Sequence, residues 1–236
     1  MRSPRGSSPV ARAGARSAER DCRGVRRVLL AGATGLVGGE LLAQLAADST
    51  VSRVTAMVRR NPGPLPLPAD RIRTEIVDCD DLAGREALFG VAQVFCALGT
   101  TRARAGSREA FRRVDFDYPR EIARLALARG ARHFLLVSAL GADARSAVFY
   151  NRVKGELEEA VRALGFRSLT IVRPSLLLGE RAGSRPAEAL MKRLAWAAPR
   201  RYAPVRAADV AEGLVAAARE DAPGLRVIES ADIPRA

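Results

Sequence analysis

Two rhythms of apolar positions alternate along this chain. An apolar run at Val28 to Ala31 is followed by short strand-like segments at Ser52 to Val58, Arg71 to Val77, Ala92 to Ala97, His133 to Val137, Phe166 to Val172 and Leu225 to Glu229. Each is short enough to read as a strand. Between them apolar residues return every three or four positions, the period of a half-buried helix. Glu40 to Ala46 shows this, with Leu41, Leu42 and Leu45 on one face. So do Arg108 to Arg129, stopped by Gly130, and Phe149 to Leu164, stopped by Gly165. Two further helical stretches are predicted near 186–198 and 207–219. The proline-rich segment Asn61 to Pro68 reads as a loop. Strands alternating with helices predict an α/β fold, a doubly wound parallel sheet with helices on both faces. There are no internal repeats.

Composition narrows this picture. The chain has 236 residues and 48% hydrophobic content. That suits a single domain over 26–236, with a small C-terminal region beyond Pro174 on the substrate side. No apolar run is long enough for a membrane helix. Net charge is +13, and the only lysines are Lys154 and Lys192. Residues 1–27 hold eight arginines against Glu19 and Asp21, so +6 of the +13 lies there. Without apolar periodicity, residues 1–25 are predicted to be a disordered basic tail. An Arg- and Ser-rich leader poor in acids also suits an organelle transit peptide or an over-extended start. The plain tail ranks first, and the expected compartment is the cytoplasm. No basic stripe is interleaved with aromatics, which argues against nucleic acid. Cys22, Cys79 and Cys96 form no C-x-x-C pair, and His133 is the one histidine, so no metal site is expected. The cysteines read as reduced and intracellular.

The first candidate site is Gly32-Ala-Thr34-Gly35-Leu36-Val37-Gly38, between the first strand and the first helix. A strand-to-helix turn of glycines lets a diphosphate approach the backbone, and the helix N-terminus offers free N–H donors and partial positive charge. A glycine-rich turn with no nucleotide is the plainer reading, but the flanking strand and helix favour a dinucleotide. The spacing is G-x-x-G-x-x-G rather than the usual G-x-G-x-x-G.

An acidic residue about 20 positions after such glycines binds the ribose of NAD. Here Arg59 follows Gly38 at that distance, with Arg60 beside it. A guanidinium suits the 2′-phosphate of NADP, so NADP is expected over NAD. Asp78, after the third strand, could accept from an adenine amino group; otherwise it is a turn residue. In such sheets ligands lie beyond the carboxyl ends of the strands. That adds Leu98, Gly99 and Thr100, Ser138 and Pro174.

Tyr150 and Lys154 are four apart on a predicted helix and share a face. An ammonium beside a phenol lowers its pKa and makes it usable for proton transfer. Ser138, at the end of the fifth strand, can donate to a developing oxyanion.

Together these motifs resemble the short-chain dehydrogenase/reductase superfamily in its atypical or extended branch. Cys96-Ala-Leu-Gly-Thr-Thr-Arg102, Ala105-Gly106, Val114-Asp-Phe-Asp-Tyr118, Gly141-Ala142-Asp143 and Lys154-Gly-Glu156 are similar to the Tat-interacting-protein-like oxidoreductases. The resemblance runs from about Val28 to the C-terminus. It implies a Rossmann-type fold and a nicotinamide cofactor. Tyr150 would be the general acid/base, and Lys154 would bind the nicotinamide ribose and tune Tyr150. Ser138 would steady the substrate carbonyl, and Pro174 would lie near the nicotinamide. Two departures stand out: Ala139 where many relatives have a second serine, and an acid near Asp115 where many have a helix asparagine.

The expected function is an NADP(H)-dependent oxidoreductase acting on a small carbonyl or alcohol. A cofactor-sensing regulatory protein with little turnover is the rival. A sugar-nucleotide epimerase or dehydratase ranks third, because those members usually carry a longer substrate domain. A homodimer or a protein partner is compatible with either of the first two.

Overall fold

A computed structural model of the chain describes residues 25–61, 63, 70–178 and 199–235. The expectations for the tail up to residue 24, for most of the proline-rich loop and for the helical stretch 186–198 lie outside the described residues.

Seven strands form one parallel sheet: β1 (Arg26–Ala31), β2 (Val51–Val58), β3 (Ile72–Ile76), β4 (Gln93–Cys96), β5 (His133–Val137), β6 (Ser168–Arg173) and β9 (Gly224–Glu229). Their order is β3-β2-β1-β4-β5-β6-β9. The chain leaves β1 towards β2 on one side and returns to β4 on the other. A crevice therefore opens between β1 and β4, where the direction of winding reverses.

Helix α1 (Leu36–Ala47) and α6 (Ala207–Glu220) pack together over one face. The opposite face carries α4 (Tyr118–Ala128), α5 (Phe149–Ala163) and a 3₁₀ helix over Ala83–Phe89. Strand alternation divides the core accordingly. Val28, Leu30, Phe95 and Leu135 join Leu41, Leu45 and Leu214 on one side. Leu29, Val94, Phe134 and Leu136 join Phe89, Ile122 and Leu157 on the other. Because both faces are covered, β1 and β5 read as continuous apolar runs rather than alternating ones.

A buried polar knot closes the end of the molecule away from the crevice. Asp48, 3% exposed, ends α1. It accepts from Thr50 N at 2.8 Å, Arg26 at 3.2 Å and Arg219 of α6 at 2.9 Å. Arg71 donates to the carbonyls of Ala46 and Asp48 and so caps the last turn of α1. His133 at the head of β5 is 1% exposed and bridges Asp221 and Thr170.

One element departs from the expected pattern in a consequential way. The single helix expected over 108–129 is α3 (Arg108–Arg112), then a π turn over Arg113–Asp117, then α4. A π turn inserts one residue into the spiral and re-aims the side chains it carries. Three small elements were not expected: the 3₁₀ helix, α2 (Arg102–Ala105) and a two-stranded parallel ribbon, β7 (Leu177–Leu178) with β8 (Val205–Arg206). The ribbon lies in the C-terminal region beyond Pro174.

Candidate functional site

The turn between β1 and α1 is built by contact, not only by flexibility. Gly32 has a φ of +89°, and a Cβ there would come within 2.6 Å of the Ala97 carbonyl oxygen. A Cβ on Gly38 would lie 1.9 Å from the Gly32 oxygen. A side chain at Gly32 would run into the backbone after β4, and one at Gly38 would force α1 away from the turn. The Gly35 N–H donates to the Gly32 oxygen at 2.9 Å and closes the turn. Gly35 is the N-cap of α1, and no side chain caps the helix. The first-turn amides thus precede any helical hydrogen bond and remain donors for an anion.

This turn forms one wall of a cleft of about 350 Å³ at the carboxyl ends of β1 to β4. Of the residues named from the sequence, Gly32, Thr34, Gly35, Arg59, Leu98, Gly99 and Thr100 line it. Val37 and Gly38 are buried against the sheet and Leu36 packs beside them, so their side of the turn shapes the cleft from behind. Arg60 is exposed and does not line the cleft. Asp78 is also exposed, and its carboxylate accepts the Asp80 N–H at 3.0 Å in a tight turn. The lining residue there is its neighbour Cys79, whose thiol is pushed up by burial and by Asp78. Sequence reasoning also missed Arg104, Val114 and Tyr118. Val114 and Tyr118 are one helical turn apart, the spacing that could have revealed them. The Tyr118 hydroxyl donates to Asp80 at 2.9 Å, and burial with that carboxylate pushes its pKa up to about 12.

Beneath the β4 loop lies a buried charged pair. Lys154 Nζ is 2.8 Å from Asp115 Oδ1, with the two side chains 4% and 1% exposed. Asp115 sits in the π turn, and its other oxygen accepts the Thr100 N–H at 2.9 Å. Gly99 covers both groups: a Cβ there would stand 3.5 Å from Asp115 Oδ1 and 3.8 Å from Lys154 Nζ. Burial opposes the charge on Lys154, but Asp115 and Tyr150 outweigh it and its pKa lies above the ordinary lysine value. Tyr150, one turn earlier on α5, stacks against Phe111 with ring centroids 5.7 Å apart.

Two expectations about this centre are corrected. The Tyr150 phenol is not lowered: burial raises it, Lys154 pulls it down, and Asp115 opposes that pull. Ser138 is not presented to a ligand. It is 5% exposed and donates its hydroxyl to Glu158 of α5, which is also held by Arg173 at 2.5 Å. Arg173 in turn reaches Glu229 at 2.9 Å. Ser138 is thus part of a polar brace joining β5, α5, β6 and β9. Pro174 is buried, and its carbonyl accepts the Leu140 N–H at 2.8 Å.

Among the described residues no group of three or more His, Cys, Asp or Glu could hold a metal. None of the described helices is long and apolar enough to cross a membrane.

The chain matches the family model described as NAD(P)H-binding over residues 32–221. It is 40% identical over 169 residues to "Protein fmp52, mitochondrial" of Emericella nidulans, covering 70% of this chain and 72% of that one. It is 38% identical over 179 residues to "Protein HTATIP2" of Rattus norvegicus, covering 75% and 74%. Its fold is similar to "MoeE5 in complex with UDP-glucose and NAD", with a TM-score of 0.65 at 19% identity over 86% of this chain and 75% of that one. The UDP-N-acetylglucosamine 4-epimerase of Methanobrevibacter ruminantium M1 matches with a TM-score of 0.67 at 14% identity, over 87% and 76%. At such identities these likenesses speak to fold alone. The mitochondrial names of the fungal relatives overturn the cytoplasmic expectation. The Arg- and Ser-rich leader, read first as a plain tail, has the composition that a transit peptide shares. The glycine turn, the cleft at the winding reversal and these matches agree: the chain belongs to the NAD(P)H-binding family, among relatives that include the fmp52 and HTATIP2 proteins.

Proposed function

We propose that the protein is an NADP(H)-dependent oxidoreductase acting on a small carbonyl or alcohol. The observation that carries this reading is the Tyr150–Lys154 pair on α5, with Lys154 Nζ directly beneath Gly99 of the cleft loop. The glycine cradle, which a Cβ would fill, and the uncapped N-terminus of α1 suit a dinucleotide diphosphate. The residues present therefore fit a nicotinamide dinucleotide, which when bound supplies or accepts the hydride. Arg59 at the cleft mouth suits a 2′-phosphate and supports NADP over NAD. Tyr150 would hold the proton that moves to or from the substrate oxygen. Lys154 would donate to the nicotinamide ribose and set the charge beside the phenol.

A specific observation keeps the sensor reading alive. Ser138 is committed to Glu158, and Ala139 beside it offers no hydroxyl. An oxyanion would lack that donor, and a protein that binds cofactor with little turnover would not need it. Fluorescence titration with NADPH and NADH, followed by a carbonyl screen at 340 nm absorbance, separates the two. Tight NADPH binding with turnover supports the enzyme; tight binding without turnover on any carbonyl or alcohol supports the sensor.

A further inference from the structure

The π turn over Arg113–Asp117 packs Phe116 against the core under the sheet, and it also delivers a carboxylate to the most enclosed part of the site. Asp115 is fully buried there. One of its oxygens faces Lys154 Nζ at 2.8 Å, and the other receives the Thr100 amide at 2.9 Å. A neutral residue could take the amide, but only an acid cancels the ammonium. The charged groups that act on Tyr150 are Lys154 on its own helix and Asp115 on the π turn. Phe111 of α3 stacks on the ring and carries no charge. The phenol thus meets a nearly neutral pair in place of a bare cation.

We propose that Asp115 is a positioning residue that holds Lys154 against the Gly99–Thr100 loop and cancels its charge, so that the ammonium does not draw the proton from Tyr150. This rests on the reading of Tyr150 as the proton-bearing group. A protonated phenol is the form that gives its proton to a carbonyl oxygen as hydride arrives. The arrangement therefore suits carbonyl reduction, with the carbonyl compound as substrate and the alcohol as product. The pKa of Tyr150, raised by burial, agrees with the geometry.

The test needs neither cofactor nor substrate. Tyrosinate absorbance is titrated in the unmutated protein and in Asp115→Asn, each against its own Tyr150→Phe counterpart, so that Tyr118 and Tyr202 cancel. Asp115→Asn keeps the shape and removes one charge. Tyr150 should ionise about one pH unit lower, or more, in Asp115→Asn. The same ionisation pH in both folded proteins would overturn the proposal. If Asp115→Asn does not fold, Asp115→Asn/Lys154→Met removes both charges and leaves neither buried unpaired. In that protein Tyr150 should ionise within about one unit of the unmutated value; a larger drop would overturn the proposal. Failure to find any substrate would count against the oxidoreductase reading and leave this titration unaffected.

Discussion

Ser138 gives its hydroxyl hydrogen to Glu158 and so faces the brace between α5 and β6 instead of the cleft. Ser138→Ala should therefore act mainly on stability. Removing a buried donor costs about 1–3 kcal/mol, so the melting temperature should fall while turnover on the best substrate changes little. A loss of about 10²-fold or more in kcat at unchanged stability would instead return Ser138 to the oxyanion role.

Arg59 lines the cleft where an NAD-binding fold would place an acid. Arg59→Asp should weaken NADPH far more than NADH. A charge-assisted hydrogen bond contributes about 1.5–3 kcal/mol, so the preference should fall about tenfold or more. Fluorescence titration of both cofactors checks this, and equal affinities in the unmutated protein would remove its basis.

Tyr150→Phe keeps the ring that stacks on Phe111 and removes the acid. NADPH affinity should survive, because the diphosphate cradle is untouched. Turnover should drop by about 10²–10⁴-fold. Full turnover in this variant would end the assignment of Tyr150.

Gly38→Ala brings a Cβ to 1.9 Å from the Gly32 oxygen. Nothing at the end of a flexible side chain is there to yield, so the helix or the turn must move. The loss should exceed about 4 kcal/mol, seen as a collapsed melting transition or as abolished NADPH binding in whatever folds.

His133 is held neutral by burial, although Asp221 pulls the other way, and its pKa lies below the ordinary 6.5. A depressed histidine contributes stability that is complete above the unfolded value and is lost as pH falls through the folded one. Melting temperature should fall as pH drops from about 7 towards 5. His133→Gln should be less stable at pH 7 but flatter across this window. An unchanged slope would place the acid sensitivity elsewhere.

Strands and the glycine turn were legible in the sequence because their causes are local. A buried parallel strand needs an apolar run, and a close strand-to-helix turn needs glycine. The same holds for α5, where Tyr150 and Lys154 fall one turn apart by spacing alone. Other features depend on partners far along the chain. Asp115 looks like a polar interruption of a helix until Lys154 is placed beside it. Which way Ser138 faces depends on where β5 ends, at Val137, and on a carboxylate in α5. Asp78 and Cys79 exchange roles because a tight turn after β3 points one outward and the other into the cleft. Arg104 belongs to α2, a four-residue helix too short to leave a periodic signature.

The π turn also sets a phase. Its extra residue rotates α3 relative to α4, and the two ends of this composite helix serve different parts of the site. Phe111 at one end meets Tyr150, and Tyr118 at the other reaches Asp80. Deleting any one residue within 113–117 would restore an ordinary spiral and turn one end about 100° against the other. Phe111 and Tyr118 could then not both keep their partners, even with every side chain of the site still present. What is stored in this segment is an angle, encoded by chain length rather than by residue type.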